Sequence, residues 1–197
     1  MTLWSRRNSQ RGSRRGWLGA RGSLSARLAG AGQSFGVQVL RQGRQRMHAD
    51  EARALGRTRV GPAYVREVLL RVDDVPVVFA RSVTWHAASN GPWRSLRGLG
   101  TRPLADVLFQ RLGLARMPLE FARFKPASRW QRDVAQAWRR ATTATLAIKA
   151  VPARRSVFTR YGAPLLVMEV FAAAHLPWCW PSGRHCTSAE ILTDRTS

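Results

Sequence analysis

The chain has 197 residues, 45% of them hydrophobic, and a formal net charge of +22. That length suits one domain with tails, and that hydrophobic share supports a buried core, which excludes a wholly disordered chain. No stretch approaches the roughly 18 consecutive apolar residues a membrane-spanning helix needs.

The excess charge is arginine charge: of 33 basic residues only Lys125 and Lys149 are lysines. Ten arginines and no acid fall before Asp50. Residues 1–15 are rich in Arg, Gly and Ser and read as a disordered basic tail, with ordering expected near Trp17. The segment lacks the apolar stretch of a secretory signal and only superficially resembles a transit peptide. From Ser23 a short capped helix is expected, with Leu24 and Leu28 on one face. Residues 35–41 alternate as a strand, and 42–61 read as a polar loop with a helical turn.

A hairpin follows, with strands Val65 to Val72 and Val75 to Trp85 about an Asp73-Asp74 turn. Residues 89–101 carry glycines and Pro92 and read as loops. Thr101 has the position of an N-cap, followed by Pro103 and by Leu104, Val107, Leu108 and Leu112 at helical spacing. Leu119 to Phe124 is a candidate strand. Ser128 to Ala141 reads as a basic amphipathic helix with Trp130, Val134 and Trp138 on one side. A second hairpin, Arg154 to Arg160 and Ala163 to Ala172 about Tyr161-Gly162, closes the core. Residues 179–197 read as a second tail. Two hairpins, a further strand and a few helices predict an α+β domain with a single antiparallel sheet flanked by helices, over residues 16–178.

Several chemistries find no support. There is no Gly-rich phosphate loop and no Gly-x-Ser-x-Gly elbow. Two cysteines, Cys179 and Cys186, make no disulfide framework and fit a reducing compartment such as the cytoplasm. With His175 and His185 they match no common zinc spacing, so no metal site is expected. The positive field would attract anions generally, small dicarboxylates as well as nucleic acid. No zinc-finger, homeodomain, ribonucleoprotein or KH signature accompanies it, so a nucleic-acid partner is not expected.

Two positions stand out chemically. A two-residue turn at Asp73-Asp74 pairs positions whose numbers sum to 147, setting Arg66 opposite Arg81 on the face of Val68 and Leu70. Two adjacent guanidinium groups on an apolar face are stabilised by a bridging anion, which suggests a carboxylate site. Snorkelling of both to the sheet edge remains open. Glu169 is the single charge in residues 163–173 and shares a face with Leu165, Val167 and Phe171. A carboxylate there needs a partner or a raised pKa, either of which suits acid–base work or ligand binding. The second turn sets Arg154 opposite Glu169, so a structural ion pair is the competing reading.

The segments Arg-Glu-Val-Leu-Leu (66–70), Phe-Ala-Arg-Ser-Val (79–83), Leu-Gly-Thr-Arg-Pro-Leu (99–104), Ala-Arg-Arg-Ser-Val-Phe (153–158) and Pro-Leu-Leu-Val-Met-Glu-Val-Phe (164–171) resemble, in order, the chorismate–pyruvate lyase family. Gly-Ser-Leu-Ser (22–25) resembles that family's N-terminal substrate loop. The resemblance implies a buried ligand cavity, a monomer, and no cofactor or metal. It implies chorismate as substrate and 4-hydroxybenzoate and pyruvate as products, in the first step of ubiquinone synthesis. It also implies substrate contacts at Leu24, Arg66, Leu104 and Glu169, with Glu169 as the catalytic group and Arg81 as a second-tier contact. A non-catalytic effector-binding module of the same fold and a basic nucleic-acid binder are the alternatives.

Overall fold

The computed structural model describes residues 3–108, 114–144, 146 and 150–173. Among them seven strands form one antiparallel sheet: β1 (Phe35–Arg46), β2 (Pro62–Val72), β3 (Val75–Trp85), β4 (Ala115–Arg116), β5 (Glu120–Phe124), β6 (Val151–Arg160) and β7 (Ala163–Val170). Their order is β1-β2-β3-β7-β6-β4, with β5 pairing β6 beside β4. Among the described residues five α-helices accompany it: α1 (Gly12–Gly19), α2 (Leu24–Ala29), α3 (Ala49–Ala54), α4 (Ala105–Leu108) and α5 (Arg129–Ala141). The expected α+β architecture is therefore the observed one.

Both hairpins close as expected, and for the expected reason. Asp73 and Asp74 have φ of 47° and 60°, and Tyr161 and Gly162 have 47° and 73°. Two successive left-handed residues match the twist of the flanking strands. The Asp73 carboxylate also accepts from the Gln33 and Ser34 amides, pinning the entry to β1. Ser23 caps α2 by accepting from the Ala26 amide, and Ser128 caps α5 by accepting from the Gln131 amide.

The sheet has two covered faces. Strand alternation sends Leu69, Phe79, Met168, Val170, Val151 and Ala153 to one side, under Trp130, Val134 and Trp138 of α5. On the same side α3 covers Val65, Val83 and Leu166. The other face carries Val68, Leu70, Val78 and Phe171 beneath α1 and α2, and Tyr64, Phe158 and Leu165 beneath residues 88–108.

Four expectations are corrected. Trp4 is only 7% exposed within the α5-side core, and Ser5 exchanges backbone hydrogen bonds with Phe121, so the chain is docked at Trp4 and Ser5. An indole buried against Phe124 and Trp130 contributes enough apolar area to hold a segment that composition alone marks as solvated. Strand β1 continues to Arg46 through polar residues; as an edge strand it pairs on one side only, and its other side tolerates them. Residues 49–54 form a helix, α3, rather than a single turn. Thr101 does not cap the next helix, which starts at Ala105. Leu112, His175, Cys179, His185, Cys186 and the 179–197 segment lie outside the described residues.

Candidate active site

A cavity lies on the α1–α2 face of the sheet, roofed by two short segments. Gly22, Ser23, Leu24 and Ser25 cover it from the start of α2, and Pro103, Leu104, Ala105 and Leu108 from α4 and the two residues before it. Its floor is strand residues of even register on β2 and β3, Arg66, Val68, Leu70, Ala80 and Ser82, with Val167 and Glu169 from β7. Arg116, Ser156 and Phe158 close the end toward β4. All four residues expected to contact substrate, Leu24, Arg66, Leu104 and Glu169, line this one space.

Arg66 is 2% exposed. Its Nη2 donates to the carbonyls of Gly100 (2.8 Å) and Arg102 (3.1 Å), while its buried Nε has no hydrogen-bond partner. No carboxylate among the described residues pairs with it. Burial accordingly pushes its pKa below the ordinary guanidinium value, with Tyr64 acting in the opposite direction. A buried cation held by carbonyl dipoles alone is costly and gains most from an anion delivered to the free side.

Glu169 faces the same cavity, and the register sets Arg154 opposite it. Arg154 Nε donates to Glu169 Oε2 at 2.5 Å, so the ion pair expected from the turn is present. Oε1 accepts no hydrogen bond among the described residues. Glu169 thus lines the cavity with one oxygen fixed and one available.

Arg81 is not in the cavity. Beyond the pair Arg71↔Pro76, the β2–β3 register shifts by one and Val77 becomes a bulge, so Arg66 pairs with Ser82 and Glu67 with Arg81. Pro76 has no N–H to give the ladder, which favours a bulge beside it. One extra residue flips every later side chain of β3 relative to β2. Arg81 therefore points to the α3 side, where its Nε and Nη2 bind both Glu51 oxygens (2.7 and 3.0 Å) and its Nη1 binds Glu67. Burial opposes its charge, but these two carboxylates outweigh that effect and raise its pKa. Arg66 and Arg81 therefore lie on opposite faces, and the expected arginine pair is not formed in the cavity.

Arg116 was not singled out by the sequence. It lies over the Phe158 ring at 5.1 Å with its Nε 3.4 Å from Ser156 Oγ. Burial lowers its pKa, Arg154 lowers it further, and Glu169 partly offsets both. The cavity thus offers two arginines, Arg66 and Arg116, that make no ion pair with a carboxylate among the described residues. Between apolar walls they suit a small ring bearing carboxylates. A two-residue strand with no periodic pattern carries Arg116, so no sequence signal announced it. Among the described residues no three His, Cys, Asp or Glu side chains group as metal ligands, and no helix is long and apolar enough to cross a membrane.

Comparison with known proteins adds the following. Residues 3–178 match the family described as chorismate lyase. A protein of Albidiferax ferrireducens named probable chorismate pyruvate-lyase is 67% identical over 180 residues, 91% of each chain. Proteins of the same name from Cupriavidus metallidurans and Thiobacillus denitrificans are 43% and 42% identical, covering 81% and 82% of this chain and 72% and 83% of theirs. Among solved structures, the C-terminal domain of PhnF superposes with a TM-score of 0.52 at 15% identity, over 70% of this chain and 82% of that one. PhnF from Mycobacterium smegmatis gives 0.50 at 19% identity, over 78% and 64%. These two likenesses concern the fold alone.

Proposed function

The chain belongs to the chorismate lyase family, and from that premise we propose that it converts chorismate into 4-hydroxybenzoate and pyruvate, as a cytoplasmic monomer supplying the first step of ubiquinone synthesis. The observation that carries the reading is Arg66, a buried cation with no carboxylate partner among the described residues, in the cavity that also holds Glu169.

Chorismate is a dicarboxylate with an enolpyruvyl ether on a cyclohexadiene ring. Removal of the ring proton beside the hydroxyl leaves its electron pair to complete the aromatic ring. The ether C–O bond breaks, its pair leaves as enolpyruvate, and a proton at the enol carbon gives pyruvate. Aromatisation supplies the driving force, and the protein's task is to position the substrate and assist the proton. Arg66 holds one carboxylate, with Arg116 suited to the other. The Glu169 carboxylate lies at the ring-hydroxyl end and moves or stabilises the proton through Oε1. Leu24 and Leu104 keep water off the ring, which strengthens each charge contact. The product retains a ring and one carboxylate, so the site also suits the product, and product release would limit turnover.

The test is to incubate the purified protein with chorismate and follow 4-hydroxybenzoate and pyruvate by chromatography. Equal amounts of both, above a blank without protein, are expected. Ligand binding without either product would contradict the lyase reading and point to a non-catalytic effector-binding module. Neither binding nor product would return nucleic acid as the partner of the +22 charge.

A further inference from the structure

Arg154 does more than pair with Glu169. It is 1% exposed, and its Nη1 is aimed at the opposite wall, at the carbonyls of Trp17 (3.2 Å), Leu18 (3.1 Å) and Ala20 (2.8 Å). These carbonyls end α1. From Ala20 the chain runs through Gly22, whose φ of 80° suits glycine, to Ser23 and Leu24, which roof the cavity. One guanidinium therefore touches the carboxylate on the cavity floor and the backbone leading into its roof.

We infer that Arg154 is a positioning residue that couples the charge on Glu169 to the docking of residues 17–25. Three carbonyl dipoles solvate the Arg154 cation, but among the described residues Glu169 is the carboxylate that neutralises it. When Glu169 is neutral, that compensation is lost. Arg116 then adds repulsion, since its charge lies close enough to both groups to be felt by each. A buried guanidinium with no counter-charge is relieved by water. Lifting residues 17–20 from the sheet is the local way to admit it. Proton arrival on Glu169 thus loosens the roof segment that carries Leu24, and loss of the proton secures it again. The inference deepens the lyase reading by linking the proton step to access at the same cavity, and it rests on that reading only for its role in turnover.

The test is hydrogen exchange of the ligand-free protein, resolved over residues 18–25, for the wild type, Glu169→Gln and Arg154→Lys. Glu169→Gln keeps the shape and removes the charge. Arg154→Lys keeps the charge but replaces a fork with a point donor that cannot reach the carboxylate and three carbonyls together. Exchange over 18–25 faster by roughly ten-fold or more in both variants is expected, with β2 and β3 amides at their wild-type rates. Unchanged exchange over 18–25 in either variant would overturn the coupling. A uniform rise across the sheet would also overturn it, reducing Arg154 to a general stabilising contact. No ligand or turnover is involved, so the result stands apart from whether the wild type forms 4-hydroxybenzoate.

Discussion

Apart from the Arg154–Glu169 pair, the two faces of the sheet treat buried arginine in opposite ways. On the side covered by α3 and α5, Arg81 is bound by Glu51 and Glu67, and Arg155 by Glu120 at 2.7 Å and Asp50 at 3.5 Å. On the cavity side, Arg66 is as buried as Arg81 yet among the described residues meets only the carbonyls of Gly100 and Arg102. Both sit near the middle of the first hairpin, one step apart in register. Burial alone therefore does not mark a functional cation. The missing counter-charge does, because a fold that could have supplied a carboxylate at Arg66 leaves the place for one that arrives with a ligand.

The sharpest way to break this comparison is through Glu169. Glu169→Gln should lower turnover of chorismate by about 10²- to 10⁴-fold, the range for losing an acid–base group, with the fold intact by circular dichroism. Wild-type turnover would remove Glu169 from the chemistry. The next effect separates the two arginines by stability. Arg81→Met strands the buried Glu51 and leaves Glu67 with Arg41 at 3.7 Å, and should cost about 3–5 kcal/mol in denaturant unfolding. Arg66→Met removes a cation that has no acid partner among the described residues, so its ligand-free stability should stay within about 1 kcal/mol of wild type. Its ligand affinity should fall by about 2–5 kcal/mol, the range for truncating one side of a buried charge contact, read by calorimetry with 4-hydroxybenzoate.

The smallest effect concerns His48, which caps α3 beside Trp130 with its buried Nδ1 unpartnered. Burial lowers its pKa below the ordinary 6.5, with Arg81 and Arg129 acting in the same direction and Glu51 and Asp133 opposing. A lowered native pKa means the unfolded chain binds the proton first. Stability should therefore fall as pH drops from about 6.5 through the native value. His48→Gln should flatten that part of the pH–stability curve, and an unchanged slope would show that His48 does not contribute to it.

The comparison also explains what the sequence made legible. The hairpins were readable because Asp73-Asp74 and Tyr161-Gly162 announce their turns locally, and α2 and α5 because Ser23 and Ser128 cap them. Glu169 was readable as a lone charge in an apolar strand, and its Arg154 partner followed from counting back from the turn. The same counting failed for Arg81, since a single bulge beside Pro76 reverses the face and nothing local records how far its effect carries. Glu51, which completes the Arg81 site, sits 30 residues away in a helix that reads as polar loop. Trp4 and Arg116 are placed by tertiary packing, without a periodic pattern around them. Local chemistry was legible, whereas the facing partner that decides between a structural and a ligand-binding arginine was not.

The most direct test of the account is the unfolding midpoint of the wild type, Arg66→Met and Arg81→Met, each with and without saturating 4-hydroxybenzoate. The account predicts that ligand raises the wild-type midpoint by roughly 5 °C or more, as binding to the native state requires. It predicts that Arg66→Met starts near the wild-type midpoint and gains almost nothing from ligand. It predicts that Arg81→Met starts far lower and, where still folded, responds as the wild type does. A full ligand response in Arg66→Met, or a ligand-free midpoint as low as that of Arg81→Met, would contradict it.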